Sequence, residues 1–350
     1  MSRHDFGPKR ITLELTNICN LHCSYCLRDE EALYHTKANF FSPHLLERIL
    51  SQAKEAMGIT SVIFTGGEPT LHPDFEKILA VSKANDLGIS FVTNGWHFEK
   101  LWPTVLAFRD SISLIAFSLD GVTEDAHDAW RGAGSFVRLV RAFSRCFAAK
   151  IPFAIKVGIR RDTIANLEQI ALFSARLGAT ALNFAHIMPT SSEVEDKSAL
   201  TYEEREMADL EIASLAAIFK MKIGIDVGYH NLDTSKAPCS ALAGVSGNID
   251  YRGRLSLCCN LSGYRGASDE SDVVADLNTE DFATAYARLK ETASNQLQLR
   301  SQRLAELLTD DSKPDPYLSS PCLFCLDTFG KLPWRESSTA HSGRALPVLS

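Results

Sequence analysis

Cys19-Asn20-Leu21-His22-Cys23-Ser24-Tyr25-Cys26, a C-x3-C-x2-C triplet directly behind the apolar run Ile11 to Leu15, decides how the rest of the sequence is read. Three thiolates in one short loop can hold three corners of an iron-sulfur cube, and the fourth iron stays open because no fourth cysteine lies nearby. An open iron binds substrate or cofactor. A half-built zinc site and three incidental thiols are the alternatives, but zinc knuckles usually show paired C-x2-C ligands.

Outward from that loop, short β-rich runs alternate with segments of helical period, the pattern of βα units around a parallel sheet. Six strands are expected: Ile11 to Leu15, Ser61 to Thr65, Ile89 to Thr93, Ser113 to Leu119, Phe153 to Ile159 and Ala181 to Ile187. The first helix begins at Ser42 with Pro43 in its first turn, aligns Leu45, Leu46, Ile49, Leu50, Ala53 and Met57, and stops at Gly58. Six such units predict an α/β fold, an incomplete TIM-like (β/α)6 barrel with every motif on the face where βα loops gather. The acidic stretch from Thr190 to Ser198 reads as a linker, and Thr201 with Glu204 as the capping box of a helix through Lys220. The expected division is an N-terminal extension 1–10, the partial barrel 11–220, a small C-terminal α+β domain 221–333 with one long helix from Asp281 to about Leu308, and a disordered tail 334–350.

At the end of the second strand stands Gly66-Gly67-Glu68-Pro69. Together with the cysteine loop it resembles the radical S-adenosylmethionine (SAM) enzymes, over roughly residues 10–330. The resemblance implies the same partial barrel and a [4Fe-4S] cluster on Cys19, Cys23 and Cys26 whose open iron is chelated by the amino and carboxylate groups of SAM. One electron then cleaves SAM to a 5'-deoxyadenosyl radical, which takes a hydrogen from an unactivated carbon. Tyr25 borders the adenine in this scheme, or else only covers the cluster from water. Gly66 and Gly67 let the backbone approach a ligand closely, and Glu68, before Pro69, shares the methionine amino group or simply starts a helix. Thr93 and Asn94 end a strand over the cofactor cavity. Ser118-Leu119-Asp120-Gly121 with His127-Asp128-Ala129-Trp130-Arg131-Gly132 resembles the SxDG…HDxxRG pattern of the peptide-modifying branch. It assigns Ser118 and Asp120 to the ribose hydroxyls and Arg131 to the SAM carboxylate through a bidentate fork. A plain turn at Asp120-Gly121 and an Arg131–Asp128 pair are the bland readings.

Five of the nine cysteines fall late in the sequence. Cys239-x13-Gly253-x4-Cys258, followed by Cys322-x2-Cys325, resembles the Twitch (shortened SPASM) domain, which implies a second, auxiliary [4Fe-4S] cluster on those four thiols that conducts electrons. A four-cysteine zinc is the alternative. Asn248 to Leu257 has hairpin character that carries Cys258 toward Cys239. Residues 260–321 contain no cysteine, which argues for one auxiliary cluster rather than two. Cys259 is a ligand that swaps with Cys258, a hydrogen-atom donor and so a catalytic candidate, or an inert neighbour; alternation along a strand favours the last. Cys146 falls on the apolar face of its helix and reads as core. His186, ending the sixth strand, is the other candidate hydrogen or proton carrier.

Formal charge is -7, with 36 basic against 43 acidic residues, which argues against a nucleic-acid partner. No stretch approaches the roughly 18 apolar residues of a membrane span, and the first ten residues lack the apolar core of a signal peptide, so a cytoplasmic enzyme is expected. The resemblance implies a radical SAM maturase acting on a peptide or protein, with flavodoxin or ferredoxin as electron donor. The N-terminus is short for a leader-peptide-binding domain, which keeps open a dehydrogenase or epimerase acting on a small sugar or cyclitol. A non-catalytic iron-sulfur or zinc scaffold is the reading from another class.

Overall fold

The computed structural model describes residues 9–267, 270–307 and 315–335. Seven strands lie side by side, each parallel to the next: β1 (Arg10–Glu14), β2 (Ser61–Thr65), β3 (Gly88–Thr93), β4 (Ile112–Leu119), β5 (Phe153–Ile159), β6 (Ala181–His186) and β7 (Lys222–Val227). The first six are the expected ones to within a residue at each end. The seventh lies beyond the expected end of the barrel and extends the same sheet. On the other side of β1, parallel to it, runs β8 (Ser246–Ile249), which continues antiparallel through β9 (Arg254–Ser256) and β10 (Val273–Asp276). The sheet ends at β10 and β7 and does not close, so the barrel is partial.

Helices cover the outer face because alternate strand residues there are large and apolar. Phe64, Phe91, Phe117 and Phe184 are all fully buried on successive or near strands. Phe117 meets Phe143 edge-on at 5.2 Å, and Phe143 stacks on Phe153 at 5.4 Å. Each buried ring contributes about 1.5–3 kcal/mol by leaving water. Cys146 lies in this layer as core.

The first helix spans Pro43–Met57, with the Ser42 hydroxyl accepting from Leu45 N and Gly58 left-handed at φ 71°. The capping box at Thr201 and Glu204 opens helix Tyr202–Ile218 as expected. Two departures stand out. The stretch expected as linker contains a helix, Ser192–Lys197, because the Ser191 hydroxyl caps it and Glu193 pairs with Lys197 one turn on. Helix Phe98–Ala107, which carries Pro103 and escaped the periodicity reading, fills the unit after β3. The long helix runs Phe282–Leu307. Residues 336–350, most of the expected tail, lie outside the described residues, as do residues 1–8 of the extension.

Candidate active site

The cysteine loop leaves β1 and is pinned on both flanks. Asn17 donates from Nδ2 to Ala32 O at 2.8 Å and accepts from Asn39 N at 2.7 Å. Arg28, just past Cys26, forms a buried ion pair with Glu14 of β1 at 2.9 Å, and Asn248 of β8 donates to the same carboxylate oxygen at 2.9 Å. His22 stacks on Tyr34 at 3.7 Å, within the π-helical turn Glu31–His35, which roofs the loop.

The Gly-Gly-Glu-Pro turn clamps onto that loop. Gly67 N donates to Thr16 O at 2.9 Å and Glu68 N to Ile18 O at 2.8 Å. A Cβ on Gly66 would lie 2.5 Å from Thr16 O, and one on Gly67 2.0 Å from Ile18 O, so the glycines permit contact with the cysteine loop itself. Glu68 is buried and caps the short helical turn Pro69–Leu71. Its carboxylate accepts from Thr70 Oγ1 at 2.6 Å, Thr93 Oγ1 at 2.8 Å and Asn94 N at 2.8 Å. Burial nonetheless raises its pKa, against these donors. Asn94 donates from Nδ2 to Asn20 Oδ1 at 3.0 Å and lies 3.9 Å from Cys19 Sγ. Three strand ends and the cysteine loop are thus one hydrogen-bonded unit.

Burial pushes the Cys19 thiol up to about 12, with Glu68, Cys23 and Cys26 adding to the effect, and burial raises Cys23 as well. Cys19 and Cys23, which burial holds protonated, lie close to Cys26, and such a set suits a cationic cluster whose irons deprotonate thiols on binding. Asn20 Nδ2 is buried beside them without a partner. Among the described residues, no three His, Cys, Asp or Glu side chains close around a single ion.

Asp120, ending β4, is buried between two guanidiniums. Arg131 Nε donates to its Oδ2, Arg160 Nη1 to its Oδ1 at 2.8 Å, and Tyr25 Oη to Oδ2 at 2.5 Å. Burial opposes its ionisation, but Arg131 and Arg160 outweigh it and hold the carboxyl at about 2. Arg131 also donates to Tyr25 Oη at 2.7 Å. It pairs with Asp120 and not with Asp128, whose carboxylate instead accepts from Phe136 N at 2.8 Å and Ser135 Oγ at 2.9 Å to start the next helix. The sequence reading missed Arg160. It is buried, follows β5 directly, stacks over Trp130 at 3.9 Å and bonds Asp162 at 2.9 Å. Its distance along β5 from Lys156 is the available signal, since every second residue shares a face. Ser118 and Lys156 are register partners on that face, and Lys156 reaches Asp226 of β7 at 2.5 Å as a half-exposed pair.

The late cysteines also gather. Backbone N–H groups point at three of their sulfurs: Leu242 N at 3.5 Å from Cys239, Asn260 N at 3.5 Å from Cys258 and Gly228 N at 3.4 Å from Cys322. Cys239 lies within electrostatic range of Cys258, Cys322 and Cys325. Burial pushes Cys322 up to about 12 and raises Cys325 well above the ordinary thiol range. Cys259 is drawn down to about 7 by its bond to Cys258 and by Arg28 and Lys156, against burial. Arg28 therefore lies between the two cysteine groups. His186 does not join them; it faces the helix layer, with Nε2 2.7 Å from Asp209. All nine cysteines are free thiols. No helix among the described residues is long and apolar enough to cross a membrane.

Comparison with known proteins agrees with this geometry. Residues 13–174 match the Radical SAM superfamily model. The chain is 35% identical over 190 residues to mycofactocin maturase MftC of Mycobacterium tuberculosis, covering 53% of this chain and 46% of that protein. It is 26% identical over 220 residues to the PqqA peptide cyclase of Gluconobacter oxydans, covering 59% and 60%. The chain thus spans about half the length of the curated relatives it matches. Its fold is similar to that of Streptococcus suis SuiB bound to precursor peptide SuiA, with a TM-score of 0.64 at 14% identity, covering 90% of this chain and 70% of that one.

Proposed function

From the premise that residues 13–174 are a radical SAM domain, which implies a [4Fe-4S] cluster bound with SAM, we propose that this chain modifies a peptide or protein by abstracting hydrogen from an unactivated carbon. When bound, the cluster and SAM supply a one-electron cleavage that yields the 5'-deoxyadenosyl radical. Cys19, Cys23 and Cys26 hold the cluster. The observation that carries the reading is the clamp of Gly66, Gly67 and Glu68 on the cysteine loop, extended through Asn94 to Cys19, which fixes the ligand loop before anything binds. Pro69 and Thr93 complete the wall.

Tyr25, Ser118, Asp120 and Arg131 border SAM in this reading. Asp120 acts by orienting Tyr25, whose one O–H it accepts, and Arg131, whose uncommitted N–H groups are left for the cofactor. A peptide substrate is supported by the likeness to MftC and the PqqA peptide cyclase. Residues 221–333 form the auxiliary-cluster domain, with Cys239, Cys258, Cys322 and Cys325 as ligands. Ligand thiols must stay reduced, which supports a cytoplasmic location.

Reduction needs a one-electron donor such as flavodoxin or ferredoxin. A basic groove of about 420 Å³, lined by Trp96, Lys100, Arg138, Arg141 and Arg145, begins next to Asn94 and suits an acidic donor.

Anaerobically reconstituted protein, reduced with dithionite in the presence of SAM, is expected to form 5'-deoxyadenosine. No such product from iron-loaded protein would sink the proposal. Reversing the charge of Arg138 and Arg141 is expected to slow flavodoxin-driven product formation and spare the dithionite-driven reaction; equal rates with flavodoxin remove the groove from the account.

A further inference from the structure

Buried arginines in this protein fall into two groups. Around the N-terminal cysteines each has a carboxylate: Arg28 has Glu14, Arg131 has Asp120, and Arg160 has Asp120 and Asp162. Around the C-terminal cysteines Arg300 and Arg205 are 1% and 3% exposed, yet no ion pair to either occurs among the described residues. Arg300 donates from Nη2 to Leu318 O at 3.0 Å and Ser319 O at 3.3 Å, as well as to Asn231 O, while its buried Nε has no partner. Arg205 donates to Leu200 O at 3.1 Å and Gly228 O at 3.3 Å. Asp209 and Glu195 act on Arg205 at longer range, without a direct ion pair, while bonding His186 and Trp334.

Carbonyl dipoles alone are a poor answer to a buried full charge, which costs several kcal/mol unless an opposite charge faces it. The groups that do face Arg300 are Cys325, Tyr229, Cys239 and Cys322, and Cys322 also lies near Arg205, together with Tyr317, Asp209 and Glu195. Four thiolates around a cubane keep a net negative charge, and reduction adds one more electron to it.

We propose that Arg300, seconded by Arg205, is the counter-cation of the auxiliary cluster: a positioning residue that holds the charged thiolate set in the protein interior and raises its reduction potential. This rests on the auxiliary-cluster reading above. A cation beside a cluster favours the more negative, reduced state, so its removal lowers the midpoint potential and weakens iron retention.

The test uses the full chain with Cys19, Cys23 and Cys26 replaced by Ala, so that the auxiliary site alone carries iron, followed by potentiometric EPR titration and metal analysis. Zinc, or no metal, in this parent refutes the auxiliary cluster itself, before any arginine is touched. If the parent holds about four irons, Arg300→Met is expected to shift the midpoint to more negative values, or to lose iron. Arg300→Lys, which keeps the charge, is expected to stay close to the parent in both. An unchanged midpoint in Arg300→Met, or equal damage in Arg300→Lys, overturns the proposal, the second because shape rather than charge would then be the requirement.

Discussion

The Cα of Gly67 faces the carbonyl oxygen of Ile18 so closely that a Cβ there would lie 2.0 Å from it, while the next residue, Glu68, donates its N–H to the same oxygen at 2.8 Å. Both partners are backbone, so no side chain can swing aside. Gly67→Ala is therefore expected to push the Gly-Gly-Glu-Pro turn off the cysteine loop, at a cost of about 1–3 kcal/mol or more. Iron bound at Cys19, Cys23 and Cys26 should fall well below the parent, as read by metal analysis. Gly224→Ala, where a Cβ meets nothing within 4 Å, is the control and should retain its iron. Full iron in Gly67→Ala would show that the clamp is dispensable.

Asp120 makes a second expectation through pH. Its folded carboxyl is held at about 2, below the ordinary 3.8, because Arg131 and Arg160 overcome the burial that opposes ionisation. A depressed carboxyl stabilises the fold above its unfolded pKa, and that contribution is lost as pH falls from about 4 toward about 2. The linked term is of the order of 2 kcal/mol. Asp120→Asn should flatten this part of the stability curve and, by leaving two buried guanidiniums without their carboxylate, cost about 3–5 kcal/mol at neutral pH. Urea unfolding of the apoprotein from neutral pH down to about pH 2 measures both; an unchanged slope in the variant would deny Asp120 the role.

Most of the barrel was legible because its signals are local. Ser42, Pro43 and Gly58 bracket the first helix through caps that depend only on near neighbours. The cysteine loop and the Gly-Gly-Glu-Pro turn were legible through spacing. What escaped is what long-range contacts decide. β7 alternates weakly and is recognisable only by its pairing with β6. Helix Ser192–Lys197 looks like an acidic linker until Glu195 is seen to accept from Trp334 Nε1 at 2.8 Å. Arg160 sits 40 residues from the carboxylate it neutralises, so its spacing from Lys156 marks its face but not its partner. The bland alternative for Arg131 failed for the same reason: Asp128 is its neighbour in sequence, Asp120 its partner in space.

Glu68 offers a way to separate support from ligand contact. Its two carboxylate oxygens accept from Thr70, Thr93 and Asn94, and a glutamine has one acceptor oxygen and an NH2 that must face one of those donors. Glu68→Gln is expected to cost about 1–3 kcal/mol of stability in the apoprotein, without SAM present. Denaturant unfolding reads this directly. Unaltered apoprotein stability with weakened SAM binding would instead mean that the carboxylate serves the cofactor and not the clamp.

Cys258 and Cys259 are adjacent, and their surroundings differ in a way that assigns them. Cys258 Sγ accepts from Asn260 N at 3.5 Å and lies near Cys239, among the other late cysteines. Cys259 lies near Arg28 and Lys156, toward the N-terminal site. The two thiols share a hydrogen bond in the turn that follows β9, so their other neighbours decide between them, and those favour Cys258 as the auxiliary ligand. Cys258→Ser is accordingly expected to lose the auxiliary iron, while Cys259→Ser keeps it. Metal analysis with Mössbauer spectra of the two variants side by side decides the matter: equal iron loss in both would make Cys259 a ligand, and loss confined to Cys259→Ser would exchange their roles.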